Sequence, residues 1–277
     1  MSRVSKAITA ANDDGRAALV VYLPAGFPDM ATSRACLEAA AEAGADLLEV
    51  GFPYSDPLMD GPVIQRANQV ALDAGYTPRD DVAMCRELND RVDVPTLVMT
   101  YYNILWHYQG SDRLAAFAAD AAAAGLAGAI VPDLPVAESG PWIDAASAVG
   151  LARVFLVAST STDEHLAAAA QASDGFVYAT STLGVTGTRE SLSERAGPLV
   201  ARLRAVTDKP LCVGIGVSTA AHAQTVAAFA DGVIVGSAAV RAAADGGPGA
   251  VADLVAALAE GCRKGYRASA RAAESMR

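Results

Sequence analysis

Eight short apolar runs rich in β-branched residues, each followed by an alanine-rich helical stretch, predict an α/β protein folded as a single-domain (β/α)8 TIM barrel. Two further observations favour that class. None of the runs alternates apolar with polar residues, which marks parallel strands covered by helices. At 277 residues the chain has the length that eight strand–helix units fill. A doubly wound sheet is the alternative assembly of the same units.

Each element has its own signal. Residues 1–15 form an extra N-terminal helix before the first strand, Leu-Val-Val-Tyr-Leu at 19–23. The second strand, 46–50, is Asp-Leu-Leu-Glu-Val, and the third, 96–100, is Thr-Leu-Val-Met-Thr. Strands at 128–131, 153–157, 175–179, 210–214 and 232–235 complete the set. Periodic helical stretches lie at 31–43, 79–90, 114–124, 138–148, 163–172, 190–205 and 220–229. Gly and Pro cluster only at turns, and Asp245-Gly-Gly-Pro-Gly249 fits a loop before a last helix, so residues 1–277 read as one domain without a linker. The terminal 266–277 reads as a frayed, solvated tail.

The chain is 52% hydrophobic but only 6% aromatic, which suits helices packed closely on a sheet. A formal net charge of -10 repels polyanions and argues against nucleic acid as a partner. Cys36, Cys85, Cys212 and Cys262 are scattered without a CxxC pair, the pattern of buried thiols in a reducing compartment. No early stretch has the apolar core of an export signal, and none has membrane-spanning length. A cytoplasmic protein is expected.

The candidate chemistry begins at Glu49. An acid at the end of a buried strand is expensive to bury unless it has a task. The stretch that follows the strand, from Gly51 to Gln65 with three prolines and two glycines, reads as a rigid loop that is neither helix nor strand and that fixes Asp56 and Asp60. In a barrel, function sits at the C-terminal ends of the strands; Glu49, Asp60, Tyr178, Gly214 and Gly236 fall there. Gly214-Ile-Gly-Val-Ser218 and Gly236-Ser-Ala-Ala239 let backbone amides approach an anion, as a phosphate cup would. The plainer alternative is that these glycines merely turn the chain. Lys6, Lys209 and Lys264 are the only lysines, and none lies at a C-terminal strand end, so Schiff-base chemistry is disfavoured. His107, His165 and His222 are dispersed without metal-ligand spacing. No nucleophile elbow or dinucleotide fingerprint appears. Carboxylate acid–base catalysis on a phosphorylated substrate, with no metal and no cofactor in this chain, is what remains. A structural ion pair or a loop cap is the alternative role for Glu49 and Asp60.

The 49–65 run, Tyr22-Leu-Pro-Ala-Gly-Phe-Pro28, Tyr101-Tyr-Asn103, Pro132-Asp-Leu-Pro135, Gly184-Val-Thr-Gly187, Gly214-Ile-Gly-Val-Ser218 and Gly236-Ser237 together resemble the tryptophan synthase α subunit, in order and across nearly the whole chain. The resemblance implies a (β/α)8 fold, cleavage of indole-3-glycerol phosphate to indole and glyceraldehyde 3-phosphate, and a pyridoxal-phosphate-dependent β subunit, in an α2β2 heterotetramer, that receives the indole. It implies Glu49 as general acid–base and Asp60 as the acceptor of the indole N–H. It also implies an indole slot of Tyr22, Tyr101, Ile130, Leu156, Tyr178 and Ile234, with Thr186 bonding the catalytic aspartate on loop closure. Ordinary core packing is the alternative for Ile130 and Leu156. Gly187, Gly214, Gly216, Gly236 and Ser237 match phosphate contacts, and Pro53, Asp56, Pro57, Leu58, Asn103 and Pro135 match the partner interface. Met59, Ser159 and Ile215 depart from the pattern without removing a catalytic group. A stand-alone indole-releasing lyase and a non-catalytic regulatory subunit are the rival functions.

Overall fold

The computed structural model describes residues 1–109, 112–180, 189–214 and 216–275, with side chains left undescribed over 189–195 and 267–275. Eight parallel strands close into a barrel in sequence order: β1 (Ala18–Pro24), β2 (Leu47–Gly51), β3 (Thr96–Met99), β4 (Gly128–Ile130), β5 (Ala152–Ala158), β6 (Val177–Thr180), β7 (Leu211–Gly214) and β8 (Gly232–Val235). Val20 of β1 sits level with Leu47 of β2 on one side and Ile234 of β8 on the other, which closes the ring. The doubly wound alternative is thereby excluded.

The helices form the outer layer: α1 (Arg3–Asp13), α2 (Met30–Glu42), α3 (Pro62–Asp73), α4 (Pro78–Asn89), α5 (Tyr102–Trp106), α6 (Arg113–Ala123), α7 (Gly140–Ala148), α8 (Asp163–Ala172), α9 (Arg189–Arg204), α10 (Ala220–Ala227) and α11 (Ser237–Ser275). Their starts are chemically marked. Asp29 caps α2 by accepting from the Thr32 N–H at 2.8 Å, and Thr77 with Asp80 forms a capping box on α4.

Because side chains alternate across a strand, the sheet feeds two cores. Leu48, Val98 and Val213 face outward into the layer shared with Leu37, Leu88, Phe117 and Val226 of the helices. Leu47, Leu97, Val154, Phe176 and Cys212 point inward. The inner core is closed at its N-terminal end by α1, whose Val4, Ile8 and Ala11 join the same cluster and are at most 1% exposed. Burying side chains the size of Val4 and Ile8 is worth about 1.5–3 kcal/mol each. Ser2 starts this plug by accepting from the Ser5 N–H at 3.1 Å.

Two local expectations need correction. The stretch after β2 is loop only as far as Gly61; Pro62 opens α3 at the first helical position, where its missing N–H has no helical partner to lose. The Gly and Pro at 245–249 do not make a free-standing loop. They mark a kink at Gly247 (φ 60°, ψ -147°) within α11.

Candidate active site

Glu49 stands in the middle of β2, level with Tyr22 of β1 and Leu97 of β3. Being two residues beyond Leu47, it points inward, above the packed inner core. Only 1% of it is exposed, and its Oε2 is buried without a hydrogen-bond partner among the described residues. A carboxylate in that setting would be poorly solvated. Burial, reinforced by the nearby charge of Asp60, pushes Glu49 up to about 8.

Asp60 reaches the same space from the loop after β2. Its Oδ2 accepts from Asn68 Nδ2 at 3.2 Å, and the Tyr101 hydroxyl bonds it from the other side. Burial raises Asp60 to about 6, against the pull of those two hydrogen bonds. The Tyr101 hydroxyl also accepts from the Met59 N–H at 3.1 Å, while Gln65 Nε2 donates to the Asp60 carbonyl at 2.8 Å. The loop is therefore fastened on both sides of the carboxylate.

Glu49 and Asp60 open into a cavity of about 510 Å³ at the C-terminal ends of the strands. Tyr22, Tyr178 and Ile234 supply its flat and branched apolar wall, and Gly214, Gly216, Gly236 and Ser237 line it as well. A methyl group at Gly51 would overlap the Tyr22 ring, so the glycine ending β2 is what lets Tyr22 lie there. Burial beside the two carboxylates raises the Tyr22 and Tyr178 phenols well above their ordinary range and keeps both protonated.

The glycines at the edge differ in what requires them. At Gly214 an added methyl would meet the Tyr178 hydroxyl, and Gly216 has φ +80°, so internal packing and backbone conformation account for both. At Gly236 the nearest atom to an added methyl is 3.6 Å away, and φ is not positive. Among the described residues nothing demands glycine there. Val240 N donates to the Gly236 carbonyl at 3.0 Å, which leaves the amides of Ser237, Ala238 and Ala239 without helical acceptors. The helix that presents them starts directly after β8. After β7, by contrast, α10 begins only past its cap Thr219, so the strand-seven glycines offer loop amides rather than a helix end.

Other expected site residues lie elsewhere. Ile130 is packed in the inner core, Leu156 lies against that core, and Tyr101 stands behind Asp60 rather than on the cavity wall. Thr186, Gly187 and Ile215 fall outside the described residues. Of the expected interface residues, Asp56, Leu58, Asn103 and Pro135 are exposed, Pro57 is half-buried and Pro53 is buried. Met59 lines the cavity, so that departure changes its wall; Ser159 lies just past β5, its carbonyl accepting from Arg202 at 3.4 Å. Residue-type reasoning missed Asn68, which bonds Asp60, and Met99, Thr180 and Arg241, which line the cavity, and it missed the exposed Trp106. The invariant spacing of helix positions was the one available signal: Asn68 lies two turns into α3, on the side that carries Ile64 towards the cavity. Among the described residues no group of His, Cys, Asp and Glu is arranged to hold a metal ion.

A second hollow of 870 Å³ lies at the N-terminal end, outside α1. Its cations are engaged: Lys209 Nζ donates to the Ala170 and Ser173 carbonyls at 2.6 Å each, and Arg153 pairs with Asp174.

Fold and site together define a class: a (β/α)8 barrel whose mouth holds a protonated carboxyl and an ionised one beside an apolar wall and a helix start open to an anion. Comparison with known proteins narrows the class. The family model for the tryptophan synthase alpha chain matches residues 8–266. The tryptophan synthase alpha chain of Streptomyces coelicolor is 50% identical over 265 residues, covering 95% of this chain and 96% of its own. That of Thermobifida fusca is 52% identical over 240 residues, covering 86% and 87%. A structure of Mycobacterium tuberculosis tryptophan synthase superimposes with a TM-score of 0.88 at 46% identity, covering 95% of this chain and 98% of that one. The chain belongs to the tryptophan synthase alpha chain family.

Proposed function

We propose that this chain cleaves indole-3-glycerol phosphate by a reverse aldol reaction, with Glu49 and Asp60 as its catalytic residues. The lyase activity and the place in tryptophan biosynthesis follow from the family; pyridoxal phosphate belongs to the beta chain and not to this one. The observation that carries the residue assignment is Glu49 itself, a buried carboxyl with an unpartnered oxygen at the base of an aromatic-walled cavity.

Direct rupture of the bond between indole C3 and the glycerol chain would place an electron pair on the ring carbon. Protonation avoids this. The Glu49 carboxyl gives its proton to C3, which leaves an indolenine whose N–H carries positive charge. Asp60, ionised above about pH 6, accepts a hydrogen bond from that N–H and balances the charge. The Glu49 carboxylate then takes the proton of the adjacent glycerol hydroxyl, the carbonyl of glyceraldehyde 3-phosphate forms, and the pair from the broken C–C bond returns to the ring. Glu49 ends as it began, protonated.

Tyr22, Tyr178 and Ile234 support the indole, with Tyr101 holding Asp60 in place and Ile130 and Leu156 backing the slot. Ser237 and the amides after Gly236 take the phosphate, with Gly214, Gly216 and the loop residue Gly187 beside them; Thr186 completes the closure of the site. The beta subunit engages the outer faces of the loops after β2, β3 and β4. Supporting this reading, Leu58 is 73% exposed and Trp106 52% exposed, in loops that follow adjacent strands at the same end of the barrel. We assign the pair to an α2β2 assembly in the cytoplasm, where four buried thiols stay reduced.

Glu49→Gln tests the assignment. The amide can neither give nor take the proton, so cleavage is lost by at least a thousandfold while the fold is kept. The folded state holds the Glu49 proton up to about pH 8 whereas the unfolded chain releases it near 4.5, so wild-type stability falls as pH rises across that window. The variant escapes this loss. It is therefore at least as resistant to urea as wild type at pH 9, and near-native turnover by it removes Glu49 from the mechanism.

A further inference from the structure

We propose that Arg241 is a specificity-determining residue of the phosphate site, the cation that draws a dianionic substrate towards a cavity otherwise lined by two carboxylates. The inference rests on the phosphate reading of the Gly236 helix start and adds a charged side chain to it.

Three observations converge on this residue. Arg241 lines the same cavity as Gly236, Ser237 and Asp60, and is the only cationic side chain among its described lining residues. It lies four residues after Ser237 in α11, hence one turn further along the same helix face as the first residue whose amide is free. It is exposed and makes no ion pair or side-chain hydrogen bond with any described residue, although the chain carries a net charge of -10. Arg16, Arg34, Arg153, Arg202 and Arg204, none of which lines this cavity, are all paired with carboxylates.

The position is also electrostatically unfavourable without a ligand. A helix start carries partial positive charge, so a guanidinium in its second turn is repelled by the free amides beside it. A phosphate between the two removes that repulsion and gains a charge-assisted hydrogen bond. It also answers a difficulty of the site: Glu49 and Asp60 face the same cavity, and ionised Asp60 repels an incoming dianion. Backbone amides fix the phosphate at short range, whereas a full charge at the rim acts over the Debye length, about 8 Å at physiological salt.

The experiment uses the full chain with Arg241→Gln and Arg241→Lys, and Gly236→Asp as a control that blocks the amide cup. Cleavage kinetics are measured with indole-3-glycerol phosphate, and binding of glycerol 3-phosphate and of indole is measured by calorimetry at low and high salt. Arg241→Gln should raise KM and the Kd of glycerol 3-phosphate about tenfold, leave kcat and indole affinity within twofold, and flatten the salt dependence. Arg241→Lys, which keeps a point charge, should recover most of the loss. Unchanged glycerol 3-phosphate affinity in Arg241→Gln while Gly236→Asp abolishes it overturns the inference and leaves the phosphate reading standing. If neither variant weakens glycerol 3-phosphate, the phosphate reading falls and the inference with it. Equal weakening of indole would also overturn the inference, because it shows a general disturbance of the cavity.

Discussion

At pH 7 the Glu49 carboxyl, raised to about 8, holds its proton, whereas Asp60, raised only to about 6, has lost its own. Burial raises both, Glu49 the more deeply buried. The Asp60 charge raises Glu49 further, whereas the Tyr101 hydroxyl and the Asn68 amide hold Asp60 down, and Glu49 Oε2 has no such partner among the described residues. The proposed mechanism needs a protonated Glu49 and an ionised Asp60. The pH profile of kcat/KM should therefore rise through about 6, fall through about 8, and report apparent values of the coupled pair. Asn68→Ala removes a donor that holds Asp60 down, so its acidic limb should move to higher pH, with activity at pH 6 lowered about three- to tenfold. An acidic limb identical to wild type would show that Asn68 only packs. Arranged this way, two residues of one chemical type do opposite proton work.

Among the elements, the β8–α11 junction holds the glycine that packing among the described residues does not require, Gly236. Gly236→Asp should weaken glycerol 3-phosphate binding far more than indole binding, because it adds bulk and negative charge where the helix amides emerge. Gly216→Ala should instead cost about 1–2 kcal/mol of stability through its positive φ. Calorimetric titration and urea unfolding of the two variants separate the effects, and equal loss of both ligands in Gly236→Asp would mean the cup lies elsewhere. The strands were legible in the chain because each buried run is local, and their bounds differ from the expected ones by two residues or fewer. The start of α3 was obscured because Gly61-Pro62 reads equally as a turn and as a helix opening, and only the residues that follow decide. Glu49 and Asp60 stood out because acids next to apolar strands are anomalous. Asn68 and Arg241 did not, since a single polar residue in an amphipathic helix is ordinary until the fold shows what it faces. Nor could sequence alone tell Gly214, constrained by the Tyr178 ring, from Gly236, which no neighbour constrains.

On the scale of the whole molecule, Asp60, the proposed catalytic aspartate, and the exposed Leu58 belong to one short loop, so binding at the outer face is mechanically close to the cavity at the inner one. The Ser55 hydroxyl donates to Asp56 at 2.6 Å on that outer face, and the Tyr102 N–H donates to Asp133 at 2.8 Å, tying the loops after β3 and β4 to each other. A partner that grips these loops favours the conformers in which Asp60 is aligned. A matched beta subunit should thus raise turnover at least tenfold, and a bound substrate analogue should tighten the beta subunit by the same linkage. Asp56→Ala and Leu58→Ala should reduce both effects, leaving the slower activity of the isolated chain in place. Titration of each variant with the beta subunit, followed by indole formation, checks this: loss of isolated activity with activation intact would assign the loop to the pocket alone.

The α1 plug makes the barrel a vessel with a floor. With Val4, Ile8 and Ala11 packed into the inner core at the far end, the described residues close the barrel there and leave the cavity open only at its C-terminal rim. Whatever sits on that rim decides whether indole escapes to solvent or is delivered. A helix remote from every reacting atom in this way sets the direction of traffic.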